Sequence, residues 1–405
     1  MLMRCLSITI PVAVLVASCQ TKDHSARHDV IAGSAVSRAE PQPVRPEPPP
    51  ARAPKLPNPL PGVRKDVTAI VGAAVRVAIG DLDGDGASEI VLVDPQQLRV
   101  VTPAGRELAS VQVPGGIQVL VVADLDGDHH AEILAGYGMS REHMDATAQV
   151  VLYRYDHGAL AREFVLAPKT TRAEIVEIVP IAEEKSAILI GYFESKYMVN
   201  SVIARRTAAA WTTSDIASIR MGTSYARGDV DGDGKPDLVV GRVYGDDKGI
   251  DGDAFVLAPA GARVPVPTTR GVRSIAISDL DADGHPEIFV ADGWHQNYAQ
   301  NGRGLLTWIR HTDQGFKSDL IEDTAGQYTV GRILPATIGG HGVLITSGNL
   351  YVRAFRHIKG VWQRLTIAAP GRDLAVGDLD GVAGDEVLVI GERSEIINLR
   401  DVAWP

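Results

Sequence analysis

From Gly62 onward the chain is written in short apolar runs separated by turns rich in Gly, Asp and Pro, with no convincing 3.6-residue helical period. The first unit predicts four strands, at 75–80, 89–93, 98–102 and 107–113. The turn between the first two is unusual. It reads Asp81-Leu82-Asp83-Gly84-Asp85-Gly86-Ala87-Ser88-Glu89, a nine-residue loop with carboxylates at positions 1, 3, 5 and 9. The arrangement returns at Asp124, Asp229 and Asp279, and in eroded form at Asp378. One acidic loop is a weak signal, while four good copies at related spacing mark a repeat.

The first aspartates of these loops are 43, 105, 50 and 99 residues apart. Two intervals are single periods near 50 and two are nearly double, so each long gap hides a unit that has lost its loop. Strand pairs at 175–180 with 188–191, and at 330–334 with 343–346, supply the two hidden copies. Seven units of about 49 residues then fill 62–405. Small residues dominate the first strand near its loop: Ala78 and Gly80, Ala226 and Gly228, Ala276 and Ser278, Ala375 and Gly377. Crowding around a central axis favours such side chains. Four-stranded sheets repeated radially make a β-propeller, which protects sheet edges. The expected fold class is therefore all-β, a seven-bladed β-propeller of four-stranded blades. The last unit offers only three strands, at 373–377, 386–390 and 395–399, and the segment 65–71 is expected to supply its outer strand and close the ring.

The run Val77-Ala78-Ile79-Gly80-Asp81-Leu82-Asp83-Gly84-Asp85-Gly86 and its relatives resemble the FG-GAP and VCBS repeats shared with the integrin α-subunit propeller. The Phe-Gly start of the FG-GAP motif is not evident, which places the likeness nearer the bacterial VCBS type. The resemblance implies calcium loops between the first two strands of about four blades. Carboxylates at positions 1, 3 and 5 would point inward, joined by the carbonyl at 7 and the acid at 9. Such an oxygen shell suits calcium, whereas zinc would ask for His or Cys. Carried onto this sequence, the metal residues are Asp81, Asp83, Asp85 and Glu89 in loop 81–89, and Asp124, Asp126, Asp128 and Glu132 in loop 124–132. Asp229, Asp231, Asp233 and Asp237 follow in loop 229–237, then Asp279, Asp281, Asp283 and Glu287 in loop 279–287. His129 and Ala282 replace glycines, and His tolerates the positive φ required there. The degenerate loop 378–386 keeps Asp378, Asp380 and Glu386 but has Val382 at position 5, so a weak or empty site is expected. An EF-hand fails, because its position-12 ligand would be Leu92, Ala135, Val240 or Val290 within strands. Asx turns alone would explain one such loop but not four aligned tetrads. The expected role of the ion is structural.

Composition narrows the partners. The formal charge of −10, with no offsetting basic stretch, argues against nucleic acid. Sixteen of the 50 acidic residues lie in the four good loops, so the acidity reads as metal ligation more than as a surface field. Residues 1–19 read as a lipoprotein signal peptide: Arg4, an apolar run over 6–16, and Val16-Ala17-Ser18-Cys19 as a small-residue cleavage site. The pattern resembles the lipobox of bacterial lipoproteins, with Cys19 as the lipidated residue. Gln20 after it resembles sorting to an outer membrane, facing the periplasm or the cell surface. Cys5 and Cys19 are the only cysteines, so no disulfide would remain after cleavage. Residues 20–61 read as a tether, whose second half has ten prolines in 21 residues and favours extended polyproline II.

The loops joining second and third strands fall opposite the acidic loops and are rich in aromatic and polar residues. Tyr137, Tyr197, Tyr244, Trp294, His295 and Tyr298, with Arg273, are the candidate partner-binding rim for a protein or glycan. The same residues also read as ordinary solvated loops with packed aromatics, and both readings stand. Arg76, Arg273 and Arg372 begin equivalent first strands and are expected around one mouth of the central channel. A lipid-anchored, non-catalytic adhesion or scaffold module, monomeric, is the expected function. The alternative is a propeller enzyme acting on polysaccharide or a small substrate at that rim. No dependable proton-transfer constellation supports it, His295 with Tyr298 being the strongest pair.

Overall fold

The computed structural model describes residues 62–67, 72–139, 146–166, 174–181, 184–195, 198–208, 210–216, 219, 221–243, 252–258, 261–268, 271–292, 304–324, 329–392 and 394–404. The signal-peptide and tether expectations, Cys19 included, lie outside them. The described strands form seven four-stranded antiparallel sheets. The chain is all-β, a ring of seven propeller blades.

Strand β1 (Arg64–Val67) pairs with β28 (Glu395–Asn398), so the blade begun at the end of the chain is completed from its beginning. The other six blades are built in sequence order. Their inner strands are β2 (Arg76–Gly80), β6 (Ile117–Ala123), β10 (Glu174–Pro180), β14 (Ser224–Gly228), β18 (Ser274–Ser278) and β22 (Val330–Ile338), and β26 (Asp373–Gly377) is the inner strand of blade 7. Blades 3 and 6, the two without acidic loops, are both present. In blade 6 the inner strand extends to Ile338, and Gly339 and Gly340, both at positive φ, close a tight hairpin to β23 (His341–Gly348).

The core is not one mass but a set of seams between neighbouring blades. Val91 and Val93 of blade 1 pack with Leu120, Ile133 and Ala135 of blade 2. Ile90 and Leu92, the alternate residues of the same strand β3 (Glu89–Val93), pack instead with Leu388 and Ile390 of blade 7. A second strand therefore serves two seams, one per face, and every residue of β3 is buried. That is why these strands read as unbroken apolar runs rather than as an alternation.

Inner strands approach closely at their ends. A Cβ added at Gly80 would stand 2.4 Å from Val122 Cγ1 of the next blade; at Gly228 and Gly377 it would meet Ile277 and Ile79, each at 2.5 Å. The three contacts are equivalent, so the small-residue preference is steric. Gly377→Val is expected to cost about 1–3 kcal/mol by overpacking this seam. A denaturant melt giving an unchanged midpoint would refute the steric account.

The inner strand also exposes an unpaired backbone edge to the channel, and a repeated latch covers part of it. Ser224 Oγ accepts the Ile275 N–H at 3.0 Å, Ser274 Oγ accepts that of Ile333 at 3.1 Å, and Asp373 Oδ2 accepts that of Val77 at 3.1 Å. In each case the first residue of one inner strand satisfies an N–H of the next blade's inner strand, at the second residue of β18 and β2 and at the fourth of the longer β22.

Candidate metal centres and the channel mouth

Each acidic loop is shaped by its own carboxylates before any ion is considered. Asp81 Oδ1 accepts the Gly84 N–H at 2.7 Å and Oδ2 that of Gly86 at 2.9 Å, curling the loop around position 1. Asp124 and Asp229 do the same in their loops. The acid at position 9 turns one oxygen back to the N–H at position 2: Leu82 to Glu89 at 2.9 Å, Leu125 to Glu132 at 2.9 Å, Val230 to Asp237 at 3.1 Å. Position 2 is apolar and buried in every loop (Leu82, Leu125, Val230, Leu280, Leu379), a hydrophobic anchor under the turn. His129 at φ 71° and Ala282 at φ 60° take the left-handed conformation that the replaced glycines would have supplied.

The loops bring ligand atoms within 4.8 Å of one another in five triads. Asp81, Asp83 and Asp85 meet in blade 1. Positions 1, 3 and 9 meet in the others: Asp124, Asp126 and Glu132; Asp229, Asp231 and Asp237; Asp279, Asp281 and Glu287; Asp378, Asp380 and Glu386. Glu89, Asp128, Asp233 and Asp283 belong to their loops but stand outside these triads. Asp128, Asp233 and Asp283 each accept a backbone N–H two residues on, stiffening the turn.

These carboxylates fit a cation. Oxygen-only donors at this spacing match a hard divalent ion. Asp126 Oδ1 and Glu287 Oε2 are buried with no hydrogen-bond partner, an arrangement that costs free energy unless something positive faces it. Burial, and then repulsion from neighbouring loop aspartates, pushes Glu89 up to about 7 and Glu287 up to about 8. Burial likewise raises Glu132 and Asp237.

The seventh loop differs in a second way besides Val382 at position 5. Arg400 reaches into it. Its guanidinium donates to Asp380 Oδ2 at 2.6 Å and Oδ1 at 2.8 Å, lies 2.5 Å from Glu386 Oε1, and donates to the carbonyls of Val382 at 2.6 Å and Gly384 at 2.8 Å. A covalently attached cation thus engages two of the three carboxylates that gather in this loop. The hydrogen bond from Arg400 holds Asp380 below the usual carboxylate range. Blade 2 shows a partial version: Arg154 Nε donates to Glu132 Oε1 at 3.0 Å, but its guanidinium stays 3.9 Å from Asp126.

A protein-family model for the FG-GAP-like repeat matches residues 81–135 and 229–290. The matched stretches hold the four complete acidic loops and all or most of the second strands that follow them. The chain is a seven-bladed propeller that carries FG-GAP-like repeats over those two stretches. No curated protein matches it.

In this propeller the acidic loops follow the ends of the inner strands, so the starts of those strands define the opposite face. There Arg76, Arg273 and Arg372 line one cavity of about 400 Å³, together with Arg332, Glu177 and Asp373. Tyr137 does not belong to a rim. It is the last residue of β7 (Glu132–Tyr137), is 1% exposed, and its hydroxyl lies 3.1 Å from that of Tyr153 in the seam between blades 1 and 2. An aromatic at the end of a fully buried strand is pulled into that seam, which corrects its assignment to the partner surface. Tyr197, Tyr244, Trp294, His295 and Tyr298 lie outside the described residues.

Proposed function

We propose that the chain is a lipid-tethered, calcium-stabilised propeller that works as a non-catalytic binding or scaffold module. The observation that carries this reading is the segregation of the two faces. All acidic triads sit at one end of the inner strands, where the loops are chained from blade to blade. The Ala131 N–H donates to the Asp81 carbonyl at 2.8 Å and that of Ser186 to the Leu125 carbonyl at 2.6 Å. An ion drawn into such a loop stiffens a seam as well as a turn. The other face is left for a protein or glycan partner, and the lipid on Cys19 holds the molecule at an outer membrane.

Two experiments test separate parts. Cys19→Ala is expected to abolish incorporation of radiolabelled palmitate and to release the protein from the membrane fraction. Retention in that fraction with the label still attached to the chain would defeat the anchor. A glycan-array and pull-down screen with the full-length protein is expected to yield a ligand whose binding falls at least tenfold in Trp294→Ala. Substrate turnover by the purified protein would instead support the enzyme alternative.

A further inference from the structure

We propose that the mouth of the central channel, on the face opposite the acidic loops, binds a small dianion bearing carboxylate or phosphoryl oxygens. The inner strands of six blades converge on this cavity. Arg76, Arg273, Arg332 and Arg372 line it together with two acids, Glu177 and Asp373. Counting both acids as ionised, the lining carries two excess positive charges, in a chain whose formal net charge is −10. This is a local inversion of sign, held in a concave site, and it focuses an anion there.

Two of the arginines are held by hydrogen bonds. Arg76 Nε donates to the Gln118 carbonyl at 2.9 Å and its NH1 to the Val75 carbonyl at 2.8 Å, so neutral oxygens fix the group without cancelling its charge. Arg332 NH1 is held by Asp373 Oδ1 at 2.9 Å and the Leu374 carbonyl at 3.1 Å. Asp373 is committed on its other oxygen to the Val77 N–H, so it acts as a bracket for Arg332 and for the next blade. Arg273 and Arg372 each stand immediately before the first residue of an inner strand, β18 and β26, where the ring fixes their backbone. Glu177 is half-buried in the wall, and burial pushes it up to about 7, which weakens its opposition to an incoming anion. Guanidinium forks held in advance match the paired oxygens of a carboxylate or phosphate and lose little freedom on binding. A cavity of about 400 Å³ admits a small molecule and not a folded partner.

The test is calorimetric titration of the calcium-loaded full-length protein, at constant ionic strength, with succinate, methyl phosphate and neutral succinamide. Saturable one-to-one binding of at least one dianion, and none of succinamide, is expected. The Arg273→Gln/Arg372→Gln double variant should weaken that binding tenfold or more. Glu177→Gln removes an opposing charge and should tighten it several-fold, a gain that no misfolded variant would show. Whichever dianion binds more tightly identifies the oxygen chemistry. Absence of saturable binding to the wild type, or equal affinity in the wild type and both variants, overturns the proposal. Either result is read independently of the screen for a macromolecular partner.

Discussion

Transfer from excess calcium to a chelator is expected to lower the unfolding midpoint of this propeller by about 15 °C. An ion held at a hundred times its dissociation constant stabilises a folded state by ~2.7 kcal/mol, so four sites give on the order of 11 kcal/mol. A propeller of roughly 340 residues has an unfolding entropy of about 0.7 kcal/mol/K, which converts that energy into the stated shift. The metal-free protein should also carry a distinctive pH dependence. Glu89 and Glu287 are raised to about 7 and about 8 from an ordinary 4.5. Between those values the folded protein holds protons that the unfolded chain has released. Stability from these groups is therefore complete below about pH 4.5 and is lost as pH rises through 7 to 8, by on the order of 3 kcal/mol for Glu89 alone. Bound calcium is expected to replace the protons and flatten that slope. Scanning calorimetry from pH 5 to 8, with calcium, zinc or chelator, checks both effects. A midpoint that ignores calcium, or that zinc restores equally well, would count against the account.

The second large effect concerns Arg400. Arg400→Gln leaves Asp380 and the buried Glu386 facing each other without their cation, and breaking such a pair costs about 3–5 kcal/mol. The loss should be greatest in chelator and partly recovered by calcium, because the freed triad of Asp378, Asp380 and Glu386 matches those of blades 2, 4 and 5. Equal destabilisation with and without calcium would show that Arg400 merely packs. The blade that closes the ring through β1 and β28 would then owe nothing special to its internal cation. By the same reasoning the blade 2 site is expected to be the weakest of the four, since calcium would compete with the hydrogen bond from Arg154 to Glu132.

The ring was legible in the sequence because the acidic loops obey strict spacing and because each second strand is apolar on both faces. Even the closing strand was readable, since blade 7 lacks an outer partner of its own. What escaped was set by register across strands. Arg154 stands opposite Glu132 and Asn398 opposite Glu386 only once second and third strands are paired, and nothing in linear spacing announces it. Arg400 is 14 residues beyond the acid it neutralises. The signal available was an arginine near the end of the third strand, meaningful only with that pairing in hand. Tyr137 was misread because a Tyr followed by Gly and polar residues looks like loop, whereas the period of β7 carries it into a seam. Blade 6 ran longer than its apolar pattern, because a two-glycine hairpin lets pairing continue where other blades open into a loop.

The most direct measurement is the number of calcium ions bound per chain, by equilibrium dialysis followed by elemental analysis of the full-length protein. Four are expected in the wild type, with one weaker than the rest, and five in Arg400→Gln. No bound calcium, or five in the wild type, would contradict the account.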